Sequence, residues 1–116
     1  MEKKNKKTSI WVEGDSIESI SVAENSERRI LAYCEEMMCV ENVLKPGGII
    51  PVHSHTHTQI TYVQSGVFDF TIDKETKRIK EGDSCLLQDA VPHGAVCIEE
   101  GILLDIFTPI RDDFLQ

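Results

Sequence analysis

Residues 47–66 read G-G-I-I-P-V-H-S-H-T-H-T-Q-I-T-Y-V-Q-S-G. His53, His55, His57 and Gln59 fall at every second position, between glycine turns and inside otherwise apolar segments. Alternate side chains of a strand share one face. Four polar groups on one face of an apolar strand are costly to bury unless something polar sits against them. A transition metal is the obvious candidate, because imidazole is its commonest protein ligand. One straight strand does not gather the set: at about 3.3 Å per residue, His55 and Gln59 stand roughly 13 Å apart. The chain is therefore expected to reverse around Thr56–Thr58. His53 and His55 then lie on one strand, Gln59 on the next, and His57 in the turn at the rim of the site. His93 supplies a further imidazole. Surface histidines clustered without a metal are the plain alternative.

The whole chain bounds what this stretch can serve. Its 116 residues make one domain with a single core, and 41% hydrophobic residues supply the material. No apolar run approaches the roughly 20 residues of a membrane span. No hydrophobic signal region follows the lysine-rich start, so a cytoplasmic protein with no membrane partner is expected. The formal net charge of −8 speaks against nucleic acid, which needs a basic face. The one basic cluster, Lys3, Lys4, Lys6 and Lys7, reads as a frayed tail over residues 1–8, with the domain at 9–116. An anionic substrate then needs a local positive group, a metal or an arginine. Cys34, Cys39, Cys85 and Cys97 contain no C-x-x-C pair and read as reduced, buried thiols.

Outward from the histidines, short alternating runs recur. Ile30–Tyr33, Met37–Leu44 and the run before Pro51 read as half-buried strands, with a turn at Lys45-Pro46-Gly47-Gly48. Ile60–Gln64 and Val67–Ile72 read as a tight hairpin about Ser65-Gly66. Thr76–Ile79, Ser84–Leu87, Ala95–Glu99 and Ile102–Thr108 follow, divided by turns at Asp73–Glu75 and Lys80–Asp83. Val91-Pro92-His93-Gly94 reads as a turn that returns one imidazole. No segment keeps period 3.6 over three turns. Short strands at regular spacing predict an all-β sandwich or barrel, whose interior holds side chains or one small ligand.

These residues resemble the cupin superfamily, a small antiparallel jelly-roll β-barrel with a metal in its mouth. Its first motif, G-x5-H-x-H-x3,4-E-x6-G, is matched by Gly47, His53, His55, Gln59 and Gly66, with glutamine in the glutamate position. Its second, G-x5-P-x-G-x2-H-x3-N, is matched at Gly82 and His93. Gln88, Ala90 and Cys97 stand where proline, glycine and asparagine are usual. The resemblance implies one divalent transition metal ion per chain on His53, His55, Gln59 and His93. Zinc, nickel, manganese and iron all accept such ligands. A neutral glutamine carbonyl leaves the ion its full charge, which suits a Lewis acid for an anionic oxygen.

A narrower resemblance covers Pro51 to the C-terminus. H-S-H-T-H-T-Q-I-T-Y-V, G-D-S-C-L-L-Q-D-A-V-P-H-G-A and L-D-I-F-T-P-I-R-D-D-F-L look like the pectin-degradation (KdgF-type) cupins. That group converts 4,5-unsaturated monouronates to linear keto sugars, and threonines flank His57 here where it often has proline and glutamate. The resemblance implies catalytic roles for Asp105, Phe107 and Arg111, in D-x-F-x3-R: proton transfer, packing on the sugar ring and holding the carboxylate. A surface aspartate, a core phenylalanine and a solvated arginine are their bland readings. A non-catalytic cupin binding a small anionic metabolite, and an iron-dependent oxygenase, are the competing functions. Cupin barrels commonly pair through edge strands, so a homodimer is expected.

Overall fold

Period-two alternation builds the molecule from Ile20 onward in the computed structural model, which describes residues 6–115. Eight strands follow in order: β1 Ile20–Ala23, β2 Ser26–Cys34, β3 Met37–Leu44, β4 Ile49–His53, β5 Thr58–Ile72, β6 Glu75–Lys80, β7 Ser84–Leu87 and β8 His93–Thr108. Two single 3-10 turns, Gly14–Ser16 and Asp112–Leu115, are the remaining elements. All pairings are antiparallel, in the order β1-β2-β3-β8-β5-β6, with β4 added to β8 and β7 to β5. This is the all-β jelly roll that the sequence leads one to expect. Among the described residues no helix is long and apolar enough to cross a membrane.

Two expectations are corrected. Ser65-Gly66 is not a hairpin turn: β5 runs through it as one strand of 15 residues. Ala95–Glu99 and Ile102–Thr108 likewise fuse into one strand, β8, of 16 residues. The physical reason lies in glycine. Gly66 adopts φ 84° where the β5–β8 register shifts, so the two long strands carry a bulge and bend there without ending. A Cβ on Gly66 would stand 2.6 Å from the backbone of Gly101, so no side chain fits between the two bends. Gly-containing dipeptides signal turns and bulges alike, and only the partner strand decides between them. Strand β2 also begins at Ser26, well before the expected Ile30, after a tight turn in which Asn25 takes φ 60°.

Pairing aligns inward residues into rows across the sheet. One row joins Arg28, Asn42, Leu103 and Val63; the next joins Val40, Asp105, Thr61 and Cys85; a third joins Met38, Phe107, Gln59 and Leu87. One end of the interior is apolar, filled by Leu44, Val63, Phe68, Phe70, Leu87, Cys97 and Leu103. Burial of each large side chain there contributes about 1.5–3 kcal/mol. Met38, Val40, Phe107 and Ile110 form a second cluster. Polar residues interleave with this second cluster, Asp105 and Thr61 in the row of Val40 and Gln59 in that of Phe107, and together they define the site.

Residues 1–5 of the expected tail lie outside the described residues. Lys6 pairs with Asp112 at 2.7 Å, and the Thr8 amide donates to the Tyr33 carbonyl at 3.0 Å, so both rest on the barrel. All four cysteines are free; Cys97 is buried and the others half-buried.

Candidate metal centre

Strand β4 ends at His53, the connection 54–57 carries His55 and His57, Gln59 is the second residue of β5, and His93 opens β8. The chain bends at Thr56 and His57, where the reversal is expected, although β4 has already ended at His53. His55 lies in the connection, not on the expected strand, and His93 lies on a strand, not in a turn. His53 and His93 are direct cross-strand partners. Their adjacency depends on Gly94, where a Cβ would meet the Ile50 carbonyl oxygen at 2.8 Å and the Val52 nitrogen at 2.9 Å. A side chain there would push β4 off β8.

The imidazoles of His53, His55 and His93 converge, with one nitrogen of each within 4.8 Å of the others. Hydrogen bonding fixes which nitrogen is free. Nδ1 lies 2.8 Å from the Pro51 carbonyl in His53, 2.9 Å from that of Val91 in His93, and 3.2 Å from that of His57 in His55. A carbonyl only accepts, so each Nδ1 carries the proton and each Nε2 presents a lone pair. Burial lowers the pKa of His55 and of His93, which favours the neutral rings that ligate.

Two observations show that a cation fits. The Nε2 of His93 is buried and has no hydrogen-bond partner among the described residues. The Nε2 of His55 stands 2.8 Å from the Gln59 Oε1. The Gln59 amide orientation is settled by its other end: Gln59 Nε2 donates to Thr61 Oγ1 at 2.8 Å, and that hydroxyl donates to Asp105 Oδ1 at 2.7 Å. Two lone-pair atoms therefore face each other, an arrangement that repels unless a positive charge lies between them. Ligand atoms about 2.1 Å from one ion and at right angles to each other are about 3 Å apart, close to the separation found. The three imidazoles and the Gln59 carbonyl can hold one metal ion.

His57 stands outside this group. Its Nε2 donates to the Ile110 carbonyl at 3.1 Å, tying the connection to the C-terminal segment.

Beside the histidines lies a cavity of about 200 Å³, lined by His53, Gln59, His93, Asp105, Phe107 and Arg111 among others. Pockets for drug-sized ligands run about 300–1,000 Å³, so this one suits a single small molecule. Asp105 Oδ2 accepts from Asn42 Nδ2 at 2.8 Å, opposite the Thr61 hydroxyl on Oδ1. Burial pushes its carboxyl up to about 6, with Thr61, Asn42, Gln59 and the Arg111 charge restraining the rise. A carboxyl poised there exchanges a proton near neutrality. Phe107 is 2% exposed and packs edge-on to His55, with ring centroids 5.7 Å apart. Arg111 is also buried, 5.1 Å over the Phe107 ring, and grips Asp113 with two hydrogen bonds of 3.0 and 2.7 Å.

Asn42, Thr61 and Arg28 complete the lining and its bonds, and sequence reasoning passed over all three. A signal existed in the alternation: Gln59, Thr61 and Val63 share one face, as do Met38, Val40, Asn42 and Leu44. A polar residue on each apolar face points at the interior.

Residues 40–107 match the Cupin domain family model, a span that contains all four candidate ligands and Asp105. The chain is 37% identical over 91 residues to the pectin degradation protein KdgF of Dickeya dadantii (strain 3937), covering 77% of this chain and 83% of that protein. Among solved structures, an RmlC-like cupin from Shewanella frigidimarina NCIMB 400 superposes with a TM-score of 0.90 and 34% identity, covering 93% of this chain and 97% of that one. The KdgF structure from Halomonas sp. gives a TM-score of 0.87 and 29% identity, covering 92% and 99%. Strand order, histidine geometry and these matches agree: the chain belongs to the cupin family.

Proposed function

We propose that this protein holds one divalent transition metal ion on His53, His55, Gln59 and His93 and converts 4,5-unsaturated monouronates to linear 4-deoxy-5-keto acids. The likeness to KdgF, named as a pectin degradation protein, supports the pathway. The observation that carries the chemistry is the placement of Asp105: a buried carboxyl held by Thr61 and Asn42 in the cavity that the histidines line.

The substrate class is a cyclic enol ether bearing a carboxylate. Opening breaks the bond between C1 and the ring oxygen as the anomeric hydroxyl loses its proton. Ketonisation then puts a proton on C4 while the enol oxygen on C5 gives one up. The sum is an isomerisation, so a single group that takes and returns a proton suffices. Asp105 has the position and the proton affinity for it. When bound, the ion supplies a Lewis acid for an anionic substrate oxygen. Phe107 and Arg111 line the cavity beside Asp105, and its size suits a small molecule.

The test is direct. Metal-loaded protein incubated with 4,5-unsaturated galacturonate accelerates the loss of ultraviolet absorbance over a no-enzyme control, and NMR identifies the linear 4-deoxy-5-keto acid. No acceleration, with metal confirmed in the protein, removes this function.

A further inference from the structure

Four arginines occur in the chain, and three of them have carboxylate partners. Arg29 pairs with Glu41 at 2.7 Å, Arg78 with Asp69 at 2.9 Å, and Arg111 with Asp113 at 2.7 Å. Arg28 differs. Among the described residues it forms no ion pair, and its Nε is buried without a hydrogen-bond partner. Alternation on β2 explains the contrast: Arg29 lies on the opposite face of the sheet, against Glu41 and the Gly14 carbonyl, whereas Arg28 faces inward and lines the cavity with His53, His93 and Asp105. Its guanidinium lies 3.8 Å over the Phe114 ring, while that of Arg111 lies 4.1 Å from the same ring. Stacking holds the group in place and leaves its in-plane donors for something else.

A half-buried cation without a counter-ion is unfavourable, and a second cation nearby adds repulsion. Burial, then the Arg111 charge, lowers the Arg28 pKa, whereas Asp113 and Asp105 are the carboxylates that raise it. An incoming anion relieves this arrangement. Arg111 is less suited to that task, since its Nε and Nη2 are taken by Asp113.

We propose that Arg28 is the anion-recognition residue of the cavity and receives the carboxylate of the substrate. Planar donors facing a planar carboxylate make the bidentate contact that selects an acid sugar over its neutral counterpart. This rests on the uronate reading of the site given above, but it is tested separately from turnover.

The experiment measures binding of galacturonate, which has no double bond to react, and of galactose, its neutral counterpart, to metal-loaded protein by calorimetry. Galacturonate is expected to bind wild type at least about tenfold more tightly than galactose, a difference of about 1.4 kcal/mol. Arg28→Gln abolishes that preference, and Arg28→Lys, which keeps the charge but not the fork, restores part of it. On 4,5-unsaturated galacturonate, Arg28→Gln raises KM and changes kcat little. Equal galacturonate binding by wild type and Arg28→Gln overturns the proposal, as does a wild type that fails to distinguish the two sugars. Absence of turnover by wild type removes the enzymatic reading and leaves the binding comparison to decide the role of Arg28.

Discussion

The two ends of the interior are lined by the same three strands in the same alternation, yet they are chemically opposite. On β5 the inward positions read Gln59 and Thr61 at one end, then Val63, Phe68 and Phe70 at the other. On β8 they read His93 at its start and Asp105 and Phe107 at its end, with Ala95, Cys97 and Leu103 between. On β3, Asn42 stands between Val40 and Leu44. The apolar end is held by close packing, which tolerates no void. The polar end is held by a chain of directed bonds from Gln59 through Thr61 to Asp105 and on to Asn42. The contrast teaches that one end can keep the barrel folded while the other retains groups costly to bury.

Substitutions can separate the ends. The largest effect is expected from His93→Ala, which removes the buried, unpartnered Nε2 of that ring. Metal affinity should fall by more than the about 10–100-fold that loss of an outer partner costs. Metal analysis of purified protein reads this, and metal content equal to wild type would contradict it. At the other end, Phe68→Ala should cost about 3–5 kcal/mol of stability, read by denaturant unfolding of metal-free protein. Metal content per folded chain should stay unchanged, and a parallel loss of metal would show that the ends are not separable. The smallest effect falls on the link between them. Thr61→Val keeps the shape but frees the Gln59 amide, so metal affinity should drop about tenfold while the fold survives. Unchanged affinity would mean that the Thr61 bond does not orient Gln59.

The sequence makes much of this legible. The spacing of His53, His55 and Gln59 required a reversal between them, and a reversal is found. Asp105 alternates with Leu104 and Ile106, so its different facing followed from period two. Other features depend on partners remote in sequence. The Ser65-Gly66 bend is decided by Gly101, and Gly94 is needed only because β4 crosses it. Thr61 and Asn42 are ordinary strand residues until register brings them to Asp105. Arg28 and Arg29 are neighbours in sequence, and only strand pairing shows which of them faces the interior.

The central claim is that Asp105 moves the proton in a cavity where the metal is held by other groups. It is tested most directly by measuring turnover of 4,5-unsaturated galacturonate and metal content on the same preparations of wild type and Asp105→Asn. Asparagine keeps the size of the side chain but does not exchange a proton near neutral pH. Metal content should be the same in both, and the rate should fall by about 10²–10⁴-fold, the usual contribution of a positioned acid–base group. An Asp105→Asn protein that keeps its metal and turns over at the wild-type rate would contradict the claim.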